Sequence, residues 1–120
     1  MAKKKAAKPK RGNRKPNKDK PLPAIREDAL EARFCEIASA LGCEPLKLEI
    51  SGARGFPDRT VICPGGRVCF FEFKTPDGVL SPQQMRRISS LWAMGCMVYV
   101  CRSADSASRR LAAFLKMGEK

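Results

Sequence analysis

In this 120-residue chain the residues best suited to chemistry are Asp58, Glu72 and Lys74. Glu72 and Lys74 fall in an apolar run from Arg67 to Lys74 that reads as a strand. Successive side chains on a strand point to opposite faces, so Phe71 and Phe73 share one face while Phe70, Glu72 and Lys74 share the other. A core strand has no packing reason to carry an acid and an ammonium, because burying either is costly unless it is paired or holds a metal. Alone, Glu72-x-Lys74 has the form of an ordinary surface ion pair. Asp58, at the head of the preceding strand, sharpens the signal. Folding the two strands back across Pro64-Gly65-Gly66 can set Asp58 beside the Glu72 end, where both carboxylates can ligate one ion. Hard Mg2+ takes carboxylate oxygens, water and substrate phosphate and needs neither His nor Cys. The chemistry implied is polarisation of a phosphodiester and activation of a water, with Lys74 orienting that water or neutralising developing charge.

These residues need a sheet and flanking helices to position them. Leu30, Phe34, Ile37 and Leu41 recur at helical spacing and stop at Gly42, which predicts a helix from about Glu27 to Leu41. Leu46, Leu48 and Ile50 alternate with Lys47 and Glu49, the pattern of a half-buried strand. After the Gly- and Pro-containing loop 51–57, Arg59 to Cys63 forms a second strand. It pairs with Arg67 to Lys74 as an antiparallel hairpin. Ser81-Pro82-Gln83-Gln84 supplies an N-cap, a proline at the first helical position and a capping-box glutamine. The helix it opens has Met85, Ile88 and Trp92 on its inner side and ends at Gly95. Cys96 to Cys101 is a strand, with Tyr99 packed in it, and Ser103 to Lys116 is a last helix burying Leu111, Phe114 and Leu115. The order helix, three strands, helix, strand, helix defines an α/β sandwich around one mixed sheet.

A first-helix acid would complete a metal-binding set, and Glu27, Glu31 and Glu36 compete for that place. At about 100° per residue Glu31 lies on the flank of the apolar stripe, Glu27 lies one turn before it and Glu36 points to solvent. Glu31 is therefore preferred and Glu27 second.

The formal charge of +12 is unevenly spread. Residues 1–20 hold ten Lys or Arg against one acid, while 21–120 hold fourteen against eleven. The tail, taken as 1–23, has no apolar residue larger than Ala between Met1 and Pro21, so disorder is expected there, with a folded domain over 24–120. Its cations, among them Lys3, Lys4, Lys5, Arg11, Arg14 and Lys15, suit the phosphate backbone without reading sequence. Arg54, Arg59 and Arg67 lie near the Asp58 loop and hairpin, where phosphate contacts would be useful. No apolar stretch approaches the roughly 20 residues of a membrane span and the tail lacks a signal-peptide core, so a cytoplasmic protein that does not engage membranes is expected. The six cysteines show no C-x2-C spacing and there is no His, which points to buried free thiols rather than zinc or disulfides.

Taken together, GARGFPDRTVI, PGGRVCFFEFK, GVLSPQQ and LWAMGCMVYV resemble the VRR-NUC family of the PD-(D/E)xK nuclease superfamily, over about Leu30 to Arg102. The resemblance implies a restriction-endonuclease-like core, dependence on Mg2+ or Mn2+, and phosphodiester hydrolysis. Carried over by position, Asp58 is the motif aspartate, Glu72 and Lys74 are the E-x-K pair, and Glu31 matches the first-helix acid. Gln84 matches a recurrent glutamine after the sheet that can bond to the site or the attacking water. Small stand-alone relatives come from phage or bacteria, so the bacterial cytoplasm or a phage-infected host is the expected setting. Some resemble Holliday-junction resolvases acting as dimers, which makes branched or duplex DNA the expected partner, a homodimer the expected assembly, and repair or recombination the expected process.

The competing class is a non-catalytic nucleic-acid-binding module, or an accessory protein with a nuclease-like fold. Carboxylates on a phosphate-binding surface repel phosphates unless a cation bridges them, which argues against the first. The second predicts loss of a catalytic residue, and every matched position is intact.

Overall fold

The computed structural model describes residues 26–118; the basic tail and the end of the chain lie outside the described residues. Among the described residues three helices and four strands follow one another as α1 (Glu27–Ala40), β1 (Glu44–Leu46), β2 (Arg59–Ile62), β3 (Val68–Phe73), α2 (Pro82–Ala93), β4 (Met97–Cys101) and α3 (Ala104–Met117), with a short 3-10 turn, Pro64–Gly66, joining β2 to β3. The sheet order is β1-β2-β3-β4. The first three strands run antiparallel. β4 returns parallel to β3 after the α2 crossover. The fold is thus α/β, with one mixed sheet and the order inferred from the sequence.

The strict alternation of β3 divides the core in two. Cys69, Phe71 and Phe73 face α1 and α3 and join Phe34, Ala38, Val61, Leu111 and Phe114 in the larger cluster. Phe34 anchors it, its ring 4.4 Å from Phe71 and 5.3 Å from Phe73 between centroids. Rings at such spacing add roughly 1 kcal/mol each beyond their buried area. On the other face Ile88, Leu91 and Val98 form a smaller cluster, with Phe56, Phe70, Leu80 and Val100 packed against it.

The helices begin and end for local reasons. Glu27 and Asp28 occupy the first turn of α1, where the helix dipole favours acids. Gly42, at φ +85°, reverses the chain after that helix. Ser81 and Gln84 make the complete reciprocal capping box of α2. Ser103 caps α3 through the Ser106 amide.

Three local expectations are corrected. The first strand is Glu44–Leu46, not Leu46–Ile50, and Leu48 and Ile50 are exposed. β1 pairs backwards along β2 from Glu44 opposite Ile62 to Leu46 opposite Thr60. β2 begins at Arg59, just after Pro57, so residues beyond 47 have no strand to pair with. On α2 the buried residues are Ile88 and Leu91, whereas Met85 and Trp92 are about half exposed. The helix is turned so that Gln84 faces the sheet, and the Trp92 indole N–H instead reaches the Val98 carbonyl at 3.0 Å. On α3 Leu115 is half-buried at the edge of the core.

All six cysteines are free, four of them buried. Burial pushes the Cys35, Cys43, Cys69 and Cys101 thiols up, Cys43 to about 11, so they are neutral packing groups near pH 7. Among the described residues no helix is long and apolar enough to cross a membrane.

Candidate active site

Glu72 is the centre of the site. It lies in β3 between Phe71 and Phe73 with its side chain 1% exposed, on the face opposite the aromatic core. The β2–β3 register sets Arg59 opposite Phe71. One step further out, Asp58 comes beside Glu72. Asp58 is fixed there by its own chemistry: its Oδ2 accepts the Phe73 backbone N–H at 2.8 Å, which leaves its other oxygen for the site.

A hydrogen-bond donor and a cation address the same oxygen of Glu72. Gln84 Nε2 donates to Oε2 at 2.9 Å. Lys74 Nζ stands 3.7 Å from Oε2, with its side chain 13% exposed. The other oxygen, Oε1, is buried with no hydrogen-bond partner. Burial pushes the Glu72 carboxyl up to about 8, with the neighbouring Asp58 charge adding to the rise and Lys74 opposing it.

Gln84 serves two purposes at once. Its Oε1 accepts the Ser81 N–H at 2.9 Å to close the capping box, and its amide nitrogen turns to Glu72. The helix cap therefore also aims the side chain. The loop before β2 is seated on the same helix start. Gly55 has φ +78°, and a Cβ there would lie 2.5 Å from the Gln83 carbonyl oxygen, so only glycine allows this approach. After Lys74 the chain is clamped by Arg102, whose Nη1 donates to the carbonyls of Thr75 and Gly78, both at 2.7 Å.

The structure thus brings together Asp58, Glu72, Lys74 and Gln84. It does not add Glu31. That carboxylate accepts from Arg59 Nε at 2.5 Å and lies 3.9 Å from Lys47 Nζ. The acid of α1 whose charge reaches Glu72 is Glu27, the second choice from the sequence. Among the described residues no three His, Cys, Asp or Glu gather as a metal-sized group, and Glu31 does not join Asp58 and Glu72 as the sequence led one to expect.

Arg59 is likewise not a free cation. It is spent on Glu31 and on the Pro45 carbonyl, 3.1 Å from Nη1, and ties α1 to the edge of the sheet. Arg67 donates to the Phe114 carbonyl at 2.6 Å and lies over the Phe114 ring. Arg54 is exposed. Lys3, Lys4, Lys5, Arg11, Arg14 and Lys15 lie outside the described residues. Sequence reasoning missed Arg102, which nothing short of the folded β3–β4 end would reveal.

A four-stranded mixed sheet between helices, with an Asp and a Glu-x-Lys pair converging at one strand end, is the frame of a nuclease-type domain. The VRR-NUC domain family matches residues 8–105, and the chain belongs to that family. A protein of Acyrthosiphon pisum secondary endosymbiont phage 1 named "Putative nuclease p44" is 37% identical over 84 residues, covering 70% of this chain and 90% of that protein. A solved structure described as a VRR_NUC domain superposes with a TM-score of 0.67 at 29% identity, over 72% of this chain and 94% of its own.

Proposed function

We propose that the protein is a metal-dependent nuclease that hydrolyses phosphodiester bonds of DNA at the Asp58–Glu72–Lys74 site. The observation that carries the reading is the unpartnered Glu72 Oε1, buried beside Asp58. A buried carboxylate oxygen without a partner is costly in a folded protein unless a ligand satisfies it. A divalent cation fits this place. Mg2+ is commonly held by one or two carboxylates, with water and substrate phosphate completing its shell, so two acids suffice. Mn2+ accepts the same oxygen donors. When bound, such an ion supplies Lewis-acid polarisation of the scissile phosphate and lowers the pKa of the attacking water.

Asp58 and Glu72 would hold the cation, Asp58 through the oxygen not used on Phe73. Gln84 and Lys74 fix Oε2 of Glu72, leaving Oε1 turned toward the ligand. Lys74, largely shielded from solvent, has donors to spare for the attacking water or for the charge that grows on the phosphate. Arg102 holds the loop after Lys74 and so positions that residue without touching substrate. The family resemblance to enzymes of branched DNA makes four-way junctions and flaps the first structures to try, with duplex DNA beside them.

The test is cleavage of labelled four-way junction, flap, duplex and single strand with Mg2+, Mn2+ or chelator, by wild type and Asp58→Asn. Asparagine keeps an oxygen for the Phe73 amide while removing the charge, so folding is spared. Metal-dependent cutting by wild type and at least a hundredfold less by the variant is expected, roughly the order found when one electrostatic group is removed from a phosphoryl or acyl transfer site. Equal cutting by the variant would refute the site. Tight binding with no cutting by wild type would favour the binding-module reading.

A further inference from the structure

One side of α2 carries a basic pocket that the proposed chemistry does not use. Gln83, Arg86, Arg87 and Ser90 recur at i, i+3, i+4 and i+7, so they form one stripe of the helix. Together with Gly52 and Arg54 of the loop before β2 they line an open cavity of about 350 Å3. The loop is seated there by the Gly55 approach to the Gln83 carbonyl, which sets Arg54 against the helix.

The pocket holds positive charge that the fold does not neutralise. Neither α2 nor the 51–57 loop contains an acid. Arg54, Arg86 and Arg87 make no ion pair among the described residues. Arg87 Nε is also shielded from solvent with no acceptor. A guanidinium N–H in that state calls for an anion that can accept from several donors at once, and phosphate oxygens match the guanidinium fork. Carboxylate or sulfate chemistry would serve as well, but the pocket adjoins the cutting site. Gln83 lines it and the next residue, Gln84, bonds Glu72.

We propose that the Arg54–Arg86–Arg87 pocket is a subsite for a phosphate of the nucleic acid other than the one cut. It sets where along the strand the scissile phosphate meets Asp58 and Glu72. This rests on the nuclease reading, and it adds two residues, Arg86 and Arg87, that the family motif does not contain. Their signal in the sequence is a pair of arginines in a helix without a single acid to pair with.

The experiment measures equilibrium binding of a labelled duplex in chelator, where no cutting occurs, across a salt series. The proteins are wild type, Arg54→Ala, Arg86→Ala, Arg87→Ala and Arg87→Lys. Arg54 and Arg86 are exposed, so their variants keep the fold even if an Arg87 variant does not. Each alanine variant is expected to bind more weakly and to lower the log–log salt slope by roughly one for each phosphate it no longer neutralises. A second arm replaces single phosphates of the duplex by uncharged methylphosphonate. Wild type should lose affinity at one position beside the cut site, and the arginine variants should be insensitive there. Duplexes with and without a 5′ phosphate tell an internal phosphodiester from a terminal phosphate, and an effect of either kind upholds the subsite. Wild-type affinity, slope and methylphosphonate pattern in Arg54→Ala and Arg86→Ala would overturn it. Metal-dependent cleavage by wild type is scored separately, so its absence would sink the nuclease reading while the binding result still decides the pocket.

Discussion

Replacing Glu72 by glutamine should make the metal-free protein more stable at neutral pH while destroying its metal response. Glu72 is buried, and its carboxyl is raised from 4.5 to about 8. The sign follows from proton binding. Between these values the folded chain keeps the proton that the unfolded chain releases, so this contribution to stability is full below pH 4.5 and is lost as pH rises through 8. Each pH unit in the interval costs about 1.4 kcal/mol, so by pH 7 the wild type has given up about 3 kcal/mol. A glutamine at this position carries no ionisable proton, accepts from Gln84 as Glu72 does, and can donate toward Asp58, so it escapes this loss. For a domain of this size 1 kcal/mol moves Tm by roughly 4–8 °C, and a gain of roughly 10 °C or more is expected. Thermal melts in chelator from pH 5 to 8 check it. Wild-type Tm should fall with pH and that of Glu72→Gln should stay nearly level from this group. Added Mn2+ or Mg2+ should raise the wild-type melting point at pH 8 and leave the variant unmoved, as expected when a ligand binds only the folded state. A variant that is no more stable than wild type at pH 8, with the same fall between pH 5 and 8, would refute the assignment of a buried carboxyl with a raised pKa at this place.

Other expectations concern the neighbours of that carboxyl. Gln84→Glu keeps a capping-box acceptor for the Ser81 amide but sets a third carboxylate against Glu72 in place of a donor. In chelator the variant should be destabilised by roughly 1–3 kcal/mol, as a buried group loses its donor, while cleavage measured below its melting range falls at least tenfold; undiminished cleavage would show that the amide nitrogen is not needed. Glu31→Gln should loosen the Arg59 contact, costing roughly 1–2 kcal/mol as a charge-assisted hydrogen bond is lost, and should leave metal-dependent cleavage largely intact. Glu27→Gln should do the reverse, and cleavage rates beside chemical denaturation of the two variants decide between them. Removing residues 1–20 should weaken DNA binding and flatten its salt dependence without removing metal-dependent chemistry, because ten of the chain's cations lie there. An unaltered slope in a salt titration would show that the tail does not touch the backbone.

What could be read from the chain was governed by local rules. The period-two alternation of Val68–Phe73 placed Phe71 and Phe73 on one face and Glu72 on the other, as observed. The hairpin turn brought Asp58 to Glu72, since a short connection leaves little freedom of register. The Ser81–Gln84 box named the start of α2, and it is present with both hydrogen bonds. The composition of loop and strand carried the family resemblance.

The tertiary structure decided what depends on the rotation of helices and on partners distant in sequence. Glu31 and Glu27 differ by one turn of α1, and helical spacing alone could not say which would face the site. What keeps Glu31 from the site is Phe34, whose packing on Phe71 and Phe73 fixes the azimuth of the helix, and Arg59, which shares the Phe71 side of the sheet and captures Glu31 across 28 residues. In the same way α2 turned Gln84 inward and left Met85 and Trp92 at the surface, with Ile88 and Leu91 as its buried residues. The Arg54–Arg86–Arg87 pocket joins a loop to a helix well downstream in the chain. Periodicity assigns each cation to its own element; only the packing of Gly55 on the helix start makes them one site.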